Sequence, residues 1–210
     1  MTLSGCSVRE FAQKLGAKEP VPGGGGVAAL AGALGACLGS MVGQYSVGKK
    51  AFLGREKEHH AIIDKCLALS DRLLTLIDED AANFEPLSRA YGLPANTEEE
   101  KAQKERVLQD ATKIAASGPI EMVDLIYEAI LLQEKLVNLS TKMILSDVGC
   151  GAEMLRAALL SAKLNVVVNL ASITDAAYVA EVRKNVNRKV ADGTAICDRV
   201  FDQVLTTLQK

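Results

Sequence analysis

Four polar side chains interrupt apolar helical patterns, and these residues are the best suited to chemistry. Asp80 lies beside the predicted core face of a long helix, and Asp147 lies in a glycine-flanked segment between two apolar stretches. Asn165 and Asn169 are four residues apart, which places them on one face of an apolar helix. A partly buried carboxylate suits general acid–base catalysis, and an amide suits hydrogen bonding to a polar ring.

Each of these residues also has a purely structural explanation. Asp147 could be the N-cap of a helix, and the two asparagines could bond neighbouring helices. Asp80 could lie on a solvated face or form an ion pair with a neighbouring helix. The sequence leaves these alternatives open.

The longest apolar segment opens with a run of glycines: Gly23, Gly24, Gly25 and Gly26. No charged residue occurs between residues 19 and 49, and further glycines recur every three or four residues on one helix face. Such a helix could span a membrane, pack as a buried central helix, or combine burial with a glycine-rich entry that lines a ligand site. Free backbone N–H groups at such an entry favour an anion or a polar ring.

Several classes of site are improbable. His59 and His60 are the only histidines and are adjacent, so a histidine-based zinc site or a Ser-His or Cys-His dyad is not expected. The five cysteines are odd in number and scattered, which indicates reduced thiols in a cytosolic protein. A net charge of −2 without a basic stripe makes nucleic acid an unexpected partner. Neither a signal peptide nor a membrane association is expected.

The elements that must position these residues are helical throughout, and no alternating strand pattern is present. The 210 residues predict a single all-α domain, an antiparallel bundle of about six to seven helices. Capping boxes at Ser7 and Thr97 mark two helix starts. Predicted helices cover residues 7–16, 26–47, 54–91, 97–116, 119–144, 152–173 and 175–208, with breaks at 117–119 and 146–151.

Five segments together resemble the C-terminal domain of the formiminotransferase-cyclodeaminase family. That family includes the cyclodeaminase half of a bifunctional folate enzyme and stand-alone methenyltetrahydrofolate cyclohydrolases. The segments occur in the family's order, and the resemblance runs from about residue 8 to the C-terminus. They are PVPGGGG at 20–26, GKK at 48–50, AYGLP-NTEEEK within 90–101, SDVG at 146–149 and LNVVVN at 164–169.

The resemblance implies an all-α homodimer with a folate site near the subunit interface, and no cofactor beyond the tetrahydrofolate substrate. On this basis Asp147 and Asp80 are the expected catalytic carboxylates, one as proton relay and one on the substrate cation or the pterin N–H edge. Asn165 and Asn169 are expected to bond the pterin amide edge. The glycines Gly23 to Gly26 would let the ring lie against backbone, while Lys49 and Lys50 would meet the glutamate tail.

Three functions remain open at this point. The preferred one is methenyltetrahydrofolate cyclohydrolase, because ammonia release is useful only where a transferase supplies formimino groups. The alternatives are formimidoyltetrahydrofolate cyclodeaminase and a non-catalytic helical dimerisation module. Some positions depart from the family pattern: Gln44 and Tyr45 precede Gly-Lys-Lys, Ala51 replaces a third lysine, and Ala95 replaces a lysine after Leu-Pro. The missing lysines bear on how a polyglutamate tail would be held.

Overall fold

The structure is a computed structural model that describes residues 2–210, and it contains six α-helices and no strand in that range. The all-α prediction is therefore confirmed. Two short 3₁₀ turns, Lys50–Phe52 and Lys142–Ile144, precede α3 and α5. The helices are α1 (Val8–Leu15), α2 (Gly24–Ser46), α3 (Glu56–Tyr91), α4 (Glu98–Leu136), α5 (Leu145–Leu170) and α6 (Ala176–Leu208).

The apolar helix α2 is the centre of the bundle and packs between α3 and α5, with α4 behind it. Its buried glycines permit this close approach. A Cβ atom at Gly35 would lie 2.6 Å from Leu155 Cγ, and one at Gly43 would lie 2.7 Å from Ile63 Cγ1. Within residues 2–210, α2 is the one helix long and apolar enough to span a membrane, and most of that stretch is buried inside the bundle.

Side-chain caps fix three helix starts, and two of them, at Ser7 and Thr97, are predicted from the sequence. Ser7 and Thr97 each accept a hydrogen bond from the backbone N–H of a glutamate three residues later, and that glutamate bonds back to the cap residue. Asp175 accepts from the backbone N–H of Tyr178 at the start of α6. Each cap satisfies backbone donors that would otherwise have no partner in the helix.

The predicted break at residues 117–119 is wrong, because α4 continues from Glu98 to Leu136 with Pro119 inside it. A proline in a helix interior removes one backbone hydrogen bond and often ends the helix. Here Pro119 and Gly118 are both buried, so packing against the bundle holds the helix together across the proline.

The predicted break at residues 146–151 is also wrong, since α5 begins at Leu145. Gly149 and Gly151 serve close packing rather than a helix end. A Cβ atom at Gly149 would lie 3.2 Å from Val204 Cγ1, and one at Gly151 would lie 3.0 Å from Gln133 Cδ. Asp147 is therefore in the first turn of α5 and is not its N-cap.

Candidate functional site

A cleft of about 560 Å³ opens where α2 begins. Its walls come from the segment before α2, the N-terminal turn of α2, the middle of α3 and α4, and the last three turns of α5. No lysine or arginine lines it among the residues that the structure describes. The lining residues are Leu15, Pro20, Val21, Gly23, Gly24, Gly25, Val27, Asp80, Phe84, Ala115, Pro119, Ser161, Leu164, Asn165, Val168 and Asn169.

The glycines at the start of α2 bring bare backbone against two polar side chains. A Cβ atom at Gly25 would overlap the Asp80 carboxylate, at 2.7 Å from Asp80 Cγ and 2.8 Å from Oδ1. A Cβ atom at Gly24 would lie 3.4 Å from Asn165 Nδ2. Gly23 is the N-cap and supplies no side-chain cap, so the first N–H groups of α2 have no intrahelical partner. The α2 backbone can therefore lie this close to the Asp80 carboxylate because residue 25 has no side chain.

Asp80 is the one ionisable side chain that lines the cleft. It is half-buried on α3, and desolvation raises the pKa of its carboxyl group above the ordinary value. No side chain or backbone group of residues 2–210 donates a hydrogen bond to it. A carboxyl group with a raised pKa and free lone pairs is a better proton acceptor than an ordinary aspartate.

The two asparagines offer hydrogen-bond acceptors to the cleft, because Asn169 uses both amide hydrogens and Asn165 uses one of its two within the fold. Asn165 Nδ2 donates to the Ser161 carbonyl at 2.9 Å. Asn169 Nδ2 donates to the Ala115 carbonyl at 3.3 Å and to the Asn165 carbonyl at 3.1 Å. Neither Oδ1 atom has a partner among the described residues. Together with Asp80, the polar lining is rich in acceptors and suits a ligand whose edge donates hydrogen bonds or carries positive charge.

The structure separates the remaining predicted residues from this cleft. Gly24 lies beside Asn165 and Gly35 beside Gly151, so α2 and α5 run antiparallel. Asp147 precedes Asn165 by about five turns of α5, roughly 27 Å at about 1.5 Å per residue. Lys49 and Lys50 follow the opposite end of α2 and are exposed.

Gly26 also lies outside the lining of the cleft. Gly26 is buried behind the cleft, where a Cβ atom would meet Pro22, Ile77 and Phe11 at 3.5–3.9 Å. Of the residues named from sequence, the structure thus gathers Gly23, Gly24, Gly25, Asp80, Asn165 and Asn169 in one place.

Several lining residues were not named from the sequence. Ser161 is four residues before Asn165, so extending the Asn165–Asn169 spacing by one turn would have found it. Phe84 is one turn after Asp80 on α3 and is the one aromatic side chain in the lining. The sequence pattern predicts Pro119 as the start of a helix, and so gives it no place in the site. Nothing in the local pattern around Leu15, Pro20 and Val21 indicates that this segment forms a wall.

Other reactive side chains are not gathered in a site. Within residues 2–210, no group of three His, Cys, Asp or Glu residues is placed to hold a metal ion. All five cysteines are free, and burial raises the pKa of Cys66 and Cys197 to about 12. Those two thiols therefore stay protonated near neutral pH and are poor nucleophiles.

The family model for formiminotransferase-cyclodeaminase matches residues 7–188 of the chain. The chain belongs to this family. The family membership predicted from the five sequence segments is thereby confirmed. The family region includes every residue that lines the cleft.

Two relatives illustrate the range within the family. A methenyltetrahydrofolate cyclohydrolase from Methylorubrum extorquens is 34% identical over 198 residues, which cover 94% of this chain and 95% of that protein. A formimidoyltransferase-cyclodeaminase from Rattus norvegicus is 32% identical over 186 residues, 89% of this chain but 34% of that protein. The chain therefore spans about a third of the bifunctional relative.

A solved structure agrees with the fold. The crystal structure of formiminotetrahydrofolate cyclodeaminase from Thermotoga maritima superposes with a TM-score of 0.80 and 28% sequence identity. The match covers 99% of this chain and 98% of that one. The family fold thus extends over the whole bundle, including α6.

Proposed function

We propose that the protein is a methenyltetrahydrofolate cyclohydrolase, which converts 5,10-methenyltetrahydrofolate and water to 10-formyltetrahydrofolate. The observation that carries this proposal is the half-buried Asp80 carboxyl group. It is the one ionisable group among the described residues of the lining, and the other polar side chains there offer acceptor oxygens. The substrate is a delocalised cation, so such a lining complements its charge. The match to a cyclohydrolase over nearly its full length supports the choice of reaction.

Asp80 has two tasks in the proposed reaction. Its carboxylate faces the cationic carbon that bridges N5 and N10, and it accepts a proton from the attacking water as the C–O bond forms. The resulting carbinol then loses its hydroxyl proton, the bond from carbon to N5 breaks, and N5 gains a proton as the formyl group remains on N10. One water is consumed and one proton is released overall. General acid–base help of this kind contributes about 10²- to 10⁴-fold in rate.

The asparagines are proposed to orient the pterin ring. Its pyrimidine edge carries an N–H and an amino group, both donors, and the free Oδ1 atoms of Asn165 and Asn169 are acceptors. From the sequence, the two asparagines are expected to bond the pterin amide edge, and the proposal assigns this contact to their oxygen atoms. The backbone of Gly24 and Gly25 would lie against one face of the ring, and Phe84 lines the same cleft.

A homodimer is proposed because the outer side of α2 is apolar and has no helix over it. Leu34 and Tyr45 are exposed there, at 49% and 54%. Leu164 and Val168 on α5 continue this surface into the cleft and are 66% and 71% exposed. A second copy of the chain is the proposed occupant, since the surface runs unbroken from the cleft along α2.

An antiparallel pairing of two α2 helices would bring the opposite end of the second copy to the cleft. That end carries Lys49, Lys50 and Asp147, the three predicted site residues absent from the cleft. In this arrangement the two lysines supply the positive charge that the cleft lacks and contact the glutamate tail of the folate. Asp147 assists the proton transfer. The tetrahydrofolate would be shared between subunits, in a cytoplasmic enzyme without a further cofactor.

Formimidoyltetrahydrofolate cyclodeaminase is the second candidate, favoured by the agreement of the fold with a cyclodeaminase structure. The reaction has the same tetrahedral carbon, with ammonia leaving in place of water attacking. A non-catalytic dimerisation module would need neither the acceptor lining nor the Asp80 carboxyl group.

Absorbance in the methenyltetrahydrofolate band distinguishes these functions. Purified protein is given the methenyl substrate in one cuvette and the formimino substrate in another. Loss of the band above the spontaneous rate is the expected result and identifies a cyclohydrolase. Appearance of the band from the formimino substrate identifies a cyclodeaminase. No change in either cuvette, with no folate binding by calorimetry, would leave a non-catalytic module and refute the enzyme proposal.

A further inference from the structure

Pro119 removes one hydrogen bond from the middle of α4 at the wall of the cleft. In an unbroken helix the backbone N–H of residue 119 would donate to the carbonyl of Ala115, four residues earlier. Proline has no N–H, and its ring pushes that carbonyl away from the helix axis. The Ala115 carbonyl is therefore free to accept a hydrogen bond from outside α4.

Asn169 supplies that hydrogen bond from α5. Its Nδ2 atom lies 3.3 Å from the Ala115 oxygen and 3.1 Å from the Asn165 oxygen. The two amide hydrogens thus have one carbonyl each, so the side chain is held in one orientation with its Oδ1 atom unpaired. An N–H at residue 119 would compete for the Ala115 carbonyl and draw it back toward the α4 axis. The hydrogen bond from Asn169 would then weaken, and its side chain would be held less firmly.

We propose that Pro119 is a positioning residue, which fixes the Asn169 amide so that its oxygen accepts a hydrogen bond from the folate ring. The inference rests on the proposed function for the identity of the ligand. In this role Pro119 acts through Asn169, so it affects the affinity for the ligand rather than the rate of the chemical step. The predicted effect is a weaker affinity with little change in kcat.

The surroundings of Pro119 support a role in the site. Pro119 and Ala115 both line the cleft. The preceding residue, Gly118, is adjacent to the other polar group, since a Cβ atom there would lie 3.7 Å from Asp80 Oδ1. One turn of α4 therefore faces both Asp80 and Asn169.

Pro86 in α3 offers a matched comparison. It also lies inside a long helix, but it is exposed and lies outside the lining of the cleft. No side chain of residues 2–210 donates to the carbonyl four residues before it. A proline inside a helix of this protein is thus not sufficient to create the arrangement found at Pro119.

The test is a double-mutant cycle on ligand affinity. Pro119→Ala restores a backbone N–H that can pair with the Ala115 carbonyl, and Asn169→Ala removes the amide. Calorimetry measures the Kd for 5-formyltetrahydrofolate, a stable folate, with each single variant and the double variant. We expect Pro119→Ala to weaken binding about three- to tenfold, the usual range for one hydrogen bond. In the Asn169→Ala background the same change should have no further effect.

Two controls keep the cycle decisive. Pro86→Ala should leave Kd unchanged, and Pro119→Ser, which restores the same N–H, should repeat the loss seen with alanine. Additive effects of Pro119→Ala and Asn169→Ala would overturn the inference, because Pro119 would then act through packing alone.

A readout without ligand separates this inference from the proposed function. In protein labelled with ¹⁵N-asparagine, the side-chain amide signals of Asn169 should shift and exchange faster with solvent in Pro119→Ala, while Pro86→Ala leaves them unchanged. Unchanged Asn169 signals in Pro119→Ala would overturn the inference. If the wild-type protein binds no folate but these signals do change, the proposed function fails and the positioning of Asn169 by Pro119 stands.

Discussion

The two ends of α2 differ in whether the residues named from the sequence form a cleft. At the N-terminal end, three helices bring Gly25, Asp80 and the two asparagines into one cleft within a single chain. At the C-terminal end, Lys49 and Lys50 are exposed. The sequence motifs mark both ends equally strongly, yet only one end is a formed cleft. Under the proposed function, the end with the cleft carries the chemistry, and the other end contributes only if a second subunit brings it there.

The largest expected effect comes from removing the carboxyl groups of Asp80, at the N-terminal end of α2, and Asp147, at the opposite end. Asp80→Asn should lower kcat by about 10²- to 10⁴-fold, because the proton acceptor is lost. Asp147→Asn should also lower activity if that residue reaches the cleft of a second subunit. Sedimentation of the wild-type protein establishes first whether a dimer forms.

Mixing the two variants then shows whether the site is shared. After dissociation and reassociation, half of the dimers should contain one subunit of each kind, and one of their two sites is fully wild type. Activity should therefore return to about a quarter of the wild-type value. If Asp147→Asn alone is fully active, or if mixing restores nothing, the two ends do not meet in one site.

A smaller but still large effect is expected at the glycine entry. Alanine at residue 25 would overlap the Asp80 carboxylate and displace it, so Gly25→Ala should lower kcat/KM by more than about tenfold. Alanine at residue 26, outside the lining of the cleft, would meet its neighbours at ordinary distances of 3.5–3.9 Å and serves as the control. Unfolding in urea should show both variants folded. Equal activity of the two variants would contradict the account of the cleft.

The cleft end illustrates what could be predicted from the sequence. Helical periodicity, the caps at Ser7 and Thr97, and the apolar length of α2 predict the all-α bundle because these signals are local. The residues of the cleft come from five helices and the segment before α2, and local patterns do not show which of them meet. The asparagine pair was found because its spacing places both residues on one face, whereas the distance between Asp147 and Asp80 depends on how α3 and α5 each pack against α2.

The two wrong helix breaks have a common physical cause. Pro119, Gly149 and Gly151 usually end helices in isolation, and tertiary packing outweighs that tendency here. At Gly149 and Gly151 the absent side chain admits a neighbouring helix. At Pro119 the absent N–H frees a carbonyl that Asn169 uses. Local rules thus failed where residues serve contacts between helices, including the wall of the cleft.

A modest effect on stability should distinguish Asp80 from an ordinary surface carboxylate. Because desolvation raises the folded-state pKa of Asp80, the folded protein pays a cost for the charged form that the unfolded chain does not. Asp80→Asn should therefore raise the free energy of unfolding at pH 7. The gain should shrink as pH falls through the folded-state pKa and vanish below about 3.9, the ordinary aspartate value, where both states are protonated.

Urea unfolding of the wild type and Asp80→Asn between pH 7 and pH 4 measures this difference. Asp64→Asn, on the exposed side of α3, is the control. A less stable Asp80→Asn protein at pH 7 would mean that the carboxylate is stabilised by groups of the fold and is not held unpaired for catalysis. A more stable variant that has lost its activity would show a site that trades stability for function.

The smallest effect concerns Lys49 and Lys50 at the far end. Exposed charges each contribute little, about 0.2–1 kcal/mol, so replacing both with alanine should raise KM by about two- to thirtyfold. The increase should appear only with a polyglutamylated substrate and should fade at high salt, because the glutamate tail carries the charge. Replacing Arg183 and Lys184, two exposed residues on α6, removes the same charge elsewhere and should leave KM unchanged. An equal rise in KM for the monoglutamate would mean that the lysines act on the fold of their own loop rather than on the tail. Combined with the subunit mixing, a tail-specific effect would place both ends of α2 in one site formed by two chains.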